Sequence, residues 1–250
     1  MTKVAIVTGA SSGIGRHTAI ALSKEGWNVV IAARRNDPLQ ETKNLMNLDN
    51  PGRCLAVSGD VTQEAFVKNL FEETVKTFGR LDMLFNNAGT GHPQVPIEEI
   101  PLGDFENVLR VNLVAPFLCT QHAMRIFKSQ SPPGGRIINN GSVSAYIPRP
   151  FAYGYTASKH GLTGLTKTTA LEGRRFNISC TQINIGTAMT DMGGKMLNGA
   201  LQPDGRVIPE PVMDVEPVIE SIMTIARLPN EVTVLETTII PTGMPFGGRG

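Results

Sequence analysis

The 250-residue sequence is poor in several things, and each shortage excludes something. Cysteine occurs three times, at Cys54, Cys119 and Cys180, widely spaced and with no CxxC pair. That excludes a disulfide-stapled secreted framework and reads as reduced thiols in a cytoplasmic protein. Charge of one sign is missing too: 23 Lys+Arg face 22 Asp+Glu, a net charge of +1. A binder of nucleic-acid backbones carries a basic stripe instead, so no nucleic-acid partner is expected. No apolar run reaches the roughly 18–20 residues needed to cross a bilayer. The longer uncharged stretches, 111–124 and 176–190, are broken by Asn, Gln, Thr and His. The apolar stretch 4–7 behind Met1-Thr2-Lys3 is too short for a signal peptide. Membrane association is therefore not expected. The four histidines (His17, His92, His122, His160) suggest neither a metal site nor a catalytic triad, and there is no GxSxG elbow.

Glycine, in contrast, is plentiful: 26 residues, above the usual ~7%. With 41% hydrophobic residues the chain can bury a full core, and its length suits a single α/β domain over 1–250. Short β-branched runs at 4–7, 29–33, 54–58, 83–85, 136–140 and 178–183 read as strands. Amphipathic stretches near 13–25, 38–48, 63–78, 104–128, 156–175 and 214–227 read as helices, and 232–240 as a last strand. Strand and helix in alternation imply βαβ units and a doubly wound parallel sheet. Two loops, 89–101 and 186–211, collect Gly and Pro, and both follow strands, where open parallel sheets bind ligands. The second reads as a substrate lid spanning 186–212.

The first strand runs into Thr8-Gly9-Ala10-Ser11-Ser12-Gly13-Ile14-Gly15 and then a helix. Gly9 allows the sharp turn, Gly13 lets backbone approach a pyrophosphate, and Gly15 permits close helix–sheet packing. The helix N-terminus adds unpaired N–H donors and a partial positive charge. No Lys-Ser/Thr ending follows, which disfavours a phosphotransferase.

This TGxxxGIG turn, with Asn86-Asn87-Ala88-Gly89 after the fourth strand and Tyr155-Thr156-Ala157-Ser158-Lys159 later, resembles the short-chain dehydrogenase/reductase family over essentially the whole chain. The resemblance implies one Rossmann domain with about seven parallel strands, a nicotinamide dinucleotide as cofactor, and a homo-oligomer (tetramer or dimer) built through the helices 104–128 and 156–175. It further implies that Asp60 meets the adenine amine, Val61 flanks the ring, and Asn87, Ala88 and Gly89 pass beside the adenosine ribose.

The end of the second strand speaks to which nicotinamide cofactor is used. An NAD enzyme places an acidic residue there. This chain has Ala33 followed by Arg34 and Arg35, and a guanidinium fork matches a phosphate. NADP(H) is expected, with Arg34 on the 2′-phosphate, Arg35 near the adenine, and the Ser11 and Ser12 hydroxyls within reach. Asp37 is the residue that would support ribose binding and NAD instead.

Tyr155 and Lys159, four apart on a helix, share one face. A nearby cation favours phenolate over a phenol whose ordinary pKa is near 10, which makes Tyr155 the general acid/base. Tyr146 and Tyr153 have no lysine at helical spacing and read as substrate-pocket walls. By resemblance, Ser142, thirteen residues before Tyr155, holds the substrate oxygen, with Ser144 as the fallback. Asn112 in Val111-Asn112-Leu113 matches the helix asparagine that anchors a water leading to the lysine. After the sixth strand the family's Pro-Gly is Ile185-Gly186 here; Thr187 and Thr190 remain as contacts to the nicotinamide amide. Met189, Met192, Met196 and Leu197 are candidate apolar liners of the pocket.

The expected activity is interconversion of a ketone or aldehyde with an alcohol, a small-molecule reaction without metal. Oxidation of a 3-hydroxy acid, suggested by the 228–242 region, and C=N or C=C reduction use the same machinery. A nucleotide-sensing binding protein without turnover is the non-enzymatic alternative.

Overall fold

The computed structural model of the chain describes residues 1–49, 52–91, 93–190 and 193–246. In chain order its strands are β1 (Val4–Thr8), β2 (Asn28–Ala33), β3 (Cys54–Ser58), β4 (Met83–Asn86), β5 (Gly135–Asn140), β6 (Ile178–Ile185), β7 (Ala200–Leu201), β8 (Val207–Ile208) and β9 (Glu236–Ile239). The helices are α1 (Gly13–Lys24), α2 (Asn36–Asp49), α3 (Glu64–Phe78), α4 (Leu102–Leu109), α5 (Ala115–Ser129), α6 (Tyr153–Gly173) and α7 (Glu216–Arg227).

Seven strands form one parallel sheet in the order β3-β2-β1-β4-β5-β6-β9. The chain winds outward from β1 to β3 and then crosses back to β4, so the strand order reverses between β1 and β4. Val7 pairs with Ile31 on one side and Phe85 on the other. Beyond the carboxyl ends of these strands the two halves diverge and leave a crevice.

Parallel strands covered on both faces are buried on both sides and mostly apolar. β1 and β6 are buried along their whole length, and β4 likewise. One face packs against α1, α2 and α7 through Leu22, Leu39, Met46, Ile222 and Met223. The other packs against α3 and α5 through Leu70, Phe71, Cys119, Ala123 and Phe127. Fully burying one such side chain contributes about 1.5–3 kcal/mol, so these two layers dominate the stability. β7 and β8 stand apart as a two-stranded antiparallel hairpin inside the 186–212 stretch, where the sequence predicts a loop.

Three boundaries differ from expectation for physical reasons. The stretch 104–128 is two α-helices joined by a π-helical turn, Arg110–Val114, where the Ala115 N–H reaches the Arg110 carbonyl. Pro116 has no N–H to give the carbonyl four residues back, that of Asn112, and the helix widens there. α6 starts at Tyr153, three residues early, two residues after Phe151, which adopts a left-handed φ of +58°. The last strand spans only 236–239, because the backbone before it is directed elsewhere. Arg136 of β5, 2% exposed, donates through Nη2 to the carbonyls of Leu228, Pro229 and Val232 at 3.1, 2.9 and 3.1 Å. Burial lowers the pKa of this guanidinium.

Candidate active site

A cavity of about 460 Å3 opens at the switch point. One end is the glycine turn. Gly9 has φ +68°, and a Cβ there would stand 2.8 Å from the Ala88 Cα, so this turn and the Asn87–Gly89 segment fit together only with hydrogen at that position. Asn87 locks them: its Nδ2 donates to the Thr8 and Gly9 carbonyls at 3.0 and 3.3 Å, and its N–H to the Thr8 hydroxyl at 3.0 Å. Ser11, Ser12, Gly13 and Ile14 line the cavity. Gly15 lies one step below it, buried at the start of α1.

Arg34 and Arg35 both border the cavity. It is Arg35 whose guanidinium donates to the Ser11 and Ser12 hydroxyls, at 3.3 and 3.1 Å. The sequence reading gave the phosphate to Arg34 and set Arg35 near the adenine; the geometry aims Arg35 at the serines. Asp60 and Val61 line the same wall. Asp60 also accepts the Thr62 N–H at 2.9 Å, the turn-forming role open to any strand-end aspartate. Asp37 lies in the exposed first turn of α2.

At the other end α6 presents Tyr155 and Lys159, while the loop after β5 presents Ser142. The Ser142 side chain stands close enough to the Tyr155 phenol to lower its pKa. Burial raises the Tyr155 pKa, opposed by the Ser142 side chain and by the charge of Arg149. Lys159, 5% exposed, is lowered by burial to about 8. Its Nζ donates to the Asn140 carbonyl at 2.7 Å and stands 5.4 Å from the Tyr155 ring centroid. Asn140 Nδ2 in turn donates to Asn87 Oδ1 at 2.9 Å. One chain of contacts thus connects the lysine to the glycine turn.

Asn112 sits in the π-helical turn, buried. Its Oδ1 accepts from the Thr90 N–H at 2.8 Å, and its Nδ2 donates to the Thr90 carbonyl at 2.9 Å and the Ser158 hydroxyl at 3.1 Å. Ser158 passes a hydrogen bond to the Tyr155 carbonyl at 2.7 Å. Asn112 therefore ties the loop after β4 to α6 through Ser158. Ser144, the alternative to Ser142, gives its N–H to the Ser142 hydroxyl at 3.1 Å.

Of the lid residues, Thr190 lines the cavity and Thr187 is buried but not in its wall. Met189, Tyr146 and Tyr153 are exposed and do not line the cavity wall, and Met196 is half-buried. His92 and Met192 lie outside the described residues. The Tyr146 hydroxyl accepts from Asn184 Nδ2 at 3.1 Å, and its ring meets Phe246 edge-on. The sequence reading missed Asn184. Its Oδ1 receives the Ser142 N–H at 3.2 Å and its Nδ2 reaches Glu236 at 3.0 Å, so it holds the serine loop from the sheet side. It also missed Arg149 and Glu210, which pair across the lid. Among the described residues no His/Cys/Asp/Glu group could hold a metal, and no helix is long and apolar enough to cross a membrane.

The sequence pattern of the short chain dehydrogenases matches residues 3–200. The chain belongs to that family. This short-chain dehydrogenase is 37% identical over 190 residues to the short chain dehydrogenase/reductase astE of Aspergillus oryzae, covering 76% of this chain and 72% of that one. Among solved structures it is similar to the 3-ketoacyl-(acyl-carrier-protein) reductase of Brucella melitensis complexed with NADH, with TM-score 0.81 and 25% identity over 95% of this chain and 96% of that one. It is also similar to a variant of actinorhodin polyketide ketoreductase with NADPH, with TM-score 0.83 and 26% identity over 97% and 96%. It is a dehydrogenase/reductase with the family's Rossmann-type sheet.

Proposed function

We propose that this short-chain dehydrogenase is an NADP(H)-dependent carbonyl reductase or alcohol dehydrogenase acting on a small ketone, aldehyde or alcohol. What carries the reading is the meeting of Tyr155, Ser142 and Lys159 at one end of the cavity, with Arg35 aimed at Ser11 and Ser12 at the other. A nicotinamide dinucleotide fits this donor set, because a side chain at Gly9 would close the approach and Gly13 has only Thr190 near it. Gly9, Ser12, Gly13, Ile14 and the α1 N-terminus, packed close at Gly15, would hold the pyrophosphate. Arg34, Arg35 and Ser11 would hold the 2′-phosphate, Asp60 and Val61 the adenine, and Asn87, Ala88 and Gly89 its ribose. Thr187 and Thr190 would hold the nicotinamide amide.

The bound nicotinamide supplies or accepts the hydride. Ser142 orients the carbonyl oxygen, and Tyr155 gives that oxygen its proton or removes it from the alcohol. Lys159, fixed at Asn140, provides the positive charge that eases loss of the Tyr155 proton and holds the nicotinamide ribose. Asn112 positions α6 and the loop at Thr90. The three buried thiols fit a reducing compartment, the cytoplasm. A second copy of the chain docks on α5 and α6, where Phe117 and Leu171 are exposed.

In Tyr155→Phe, turnover of a ketone panel should fall by roughly 10²–10⁴ while NADPH affinity by fluorescence titration survives. Retained turnover rejects the acid/base role. In Arg35→Ala, NADPH affinity should fall about tenfold or more, with NADH affinity nearly unchanged. Equal losses for the two nucleotides reject the NADP(H) assignment.

A further inference from the structure

Between the lid and the loop that joins Ser142 to Tyr155 lies a pair of charges that the proton chemistry leaves unused. The loop leading from Ser142 into α6 carries Arg149, and the stretch between β8 and α7 carries Glu210. Guanidinium and carboxylate meet in two parallel bonds, Nη1 to Oε1 at 2.6 Å and Nη2 to Oε2 at 2.5 Å. Both side chains are shielded, 15% and 8% exposed. Glu210 is also held within the lid. Its N–H donates to the Met196 carbonyl at 3.1 Å, and Gln202 Nε2 donates to its Oε1 at 3.4 Å.

Arg149 stands six residues before Tyr155, and its charge favours the Tyr155 phenolate. The cation is therefore within electrostatic reach of the acid/base group, and its counter-ion comes from the lid. Glu210 lies past residue 200, where the family match ends. A guanidinium fork next to a reacting carbonyl is the group best shaped to grip a substrate carboxylate. Here both of its paired donors are taken by a carboxylate of the protein itself.

We propose that Glu210 determines specificity by occupying Arg149, so that the site takes uncharged ketones and refuses substrates bearing a carboxylate. A substrate acid would meet the negative charge of Glu210 and find the fork filled, a repulsive element as well as a missing attractive one. The same pairing keeps Arg149 from standing as an unmatched cation in a shielded place, where an unpaired charge is strongly unfavourable. This inference deepens the carbonyl-reductase reading and rests on it.

The test uses matched probes: 2-, 3- and 4-oxopentanoate and their ethyl esters, reduced with NADPH. The wild type should prefer the ester of each pair. Glu210→Gln keeps the shape and opens the fork, and should raise the acid-to-ester ratio of kcat/KM about tenfold or more. Arg149→Gln leaves the Glu210 charge alone and should lower that ratio below wild type. The Arg149→Gln/Glu210→Gln double variant should return it to the wild-type value.

A second readout needs no turnover. Pentanoate should raise the melting temperature of Glu210→Gln and not of the wild type, while pentanamide should affect both alike. If the wild type reduces the esters but the ratio is unmoved in both single variants, or pentanoate does not distinguish Glu210→Gln, the role of Glu210 is overturned and the carbonyl-reductase reading stands. If the wild type reduces none of the esters or acids, that reading falls and takes this inference with it.

Discussion

The two ends of the cavity are built on different principles. At the nucleotide end the backbone does the work. Gly9 packs against Ala88, Asn87 bonds to two carbonyls of the β1 turn, and α1 begins at the cleft. On the lid side, β7 and β8 are two residues each, with Val207, Ile208 and Leu197 exposed. There a side-chain pair, Arg149 with Glu210, joins the lid to the loop that follows Ser142. A site made by backbone constrains residue type at each step, because only glycine fits. One closed by side chains leaves most of its sequence free and rests on a few contacts.

The sharpest way to break this contrast is at Gly9. Gly9→Ala forces an L side chain into φ +68° and against the Ala88 Cα at 2.8 Å. The expected loss is roughly 2–3 kcal/mol of stability, with at least tenfold weaker nucleotide binding, measured by urea denaturation and fluorescence titration. An unchanged protein would remove the steric argument.

Lys159 tests the other end of the backbone-built region, and there the sign reverses. Unfolded, its amine holds a proton up to about 10.5; folded, only to about 8. Between those values the unfolded chain binds more protons, so stability rises with pH, and below about 8 the full penalty of the buried cation is present. Lys159→Met should therefore stabilise the nucleotide-free protein at pH 7 by about 2 kcal/mol, once the lost bond to the Asn140 carbonyl is deducted. The gain should vanish above pH 10.5. Denaturation at pH 7 and at pH 10.5 checks it; a loss at pH 7 would show that the lysine stabilises the fold.

The smallest effect belongs to the lid. Gly205 also has a positive φ, +85°, but nothing lies within 4 Å of a Cβ there. Gly205→Ala should cost about 1 kcal/mol or less, and only locally. Limited trypsin digestion read by mass spectrometry should cut after the exposed Arg206 before any site in the sheet, and faster in the variant. First cleavage within the sheet would erase the distinction between the two regions.

The same contrast explains what could be read from the chain. Glycine at 9, 13 and 15 and the Tyr155–Lys159 spacing announce themselves, because each is a residue type or interval demanded by local geometry. The parallel sheet follows from buried apolar runs such as 4–7. Asn184 could not be found this way: an asparagine in a buried strand acquires meaning only when Ser142, 42 positions away, delivers its N–H. Arg149 and Glu210 are 61 positions apart in loops with no periodicity, so nothing local couples them. The Arg34-Arg35 pair points to a phosphate, with Arg34 expected on it, but which of the two adjacent arginines turns toward Ser11 and Ser12 depends on how α2 departs from the sheet. The π-helical turn was legible in hindsight from Pro116, whose missing N–H widens the helix where Asn112 sits.

Arg136 carries a consequence for the order in which the chain can be completed. The charge sits in β5, an interior strand of the sheet, yet the carbonyls that solvate it belong to residues 228–232. During synthesis β5 emerges some ninety residues before those acceptors exist. Until then the guanidinium must stay in water, and that side of the sheet cannot close. The C-terminal turn is thus the key that lets an interior already fully spelled out become dry. A chain stopped short of residue 228 would hold every residue of the nucleotide cavity and still lack the solvent substitute its centre requires.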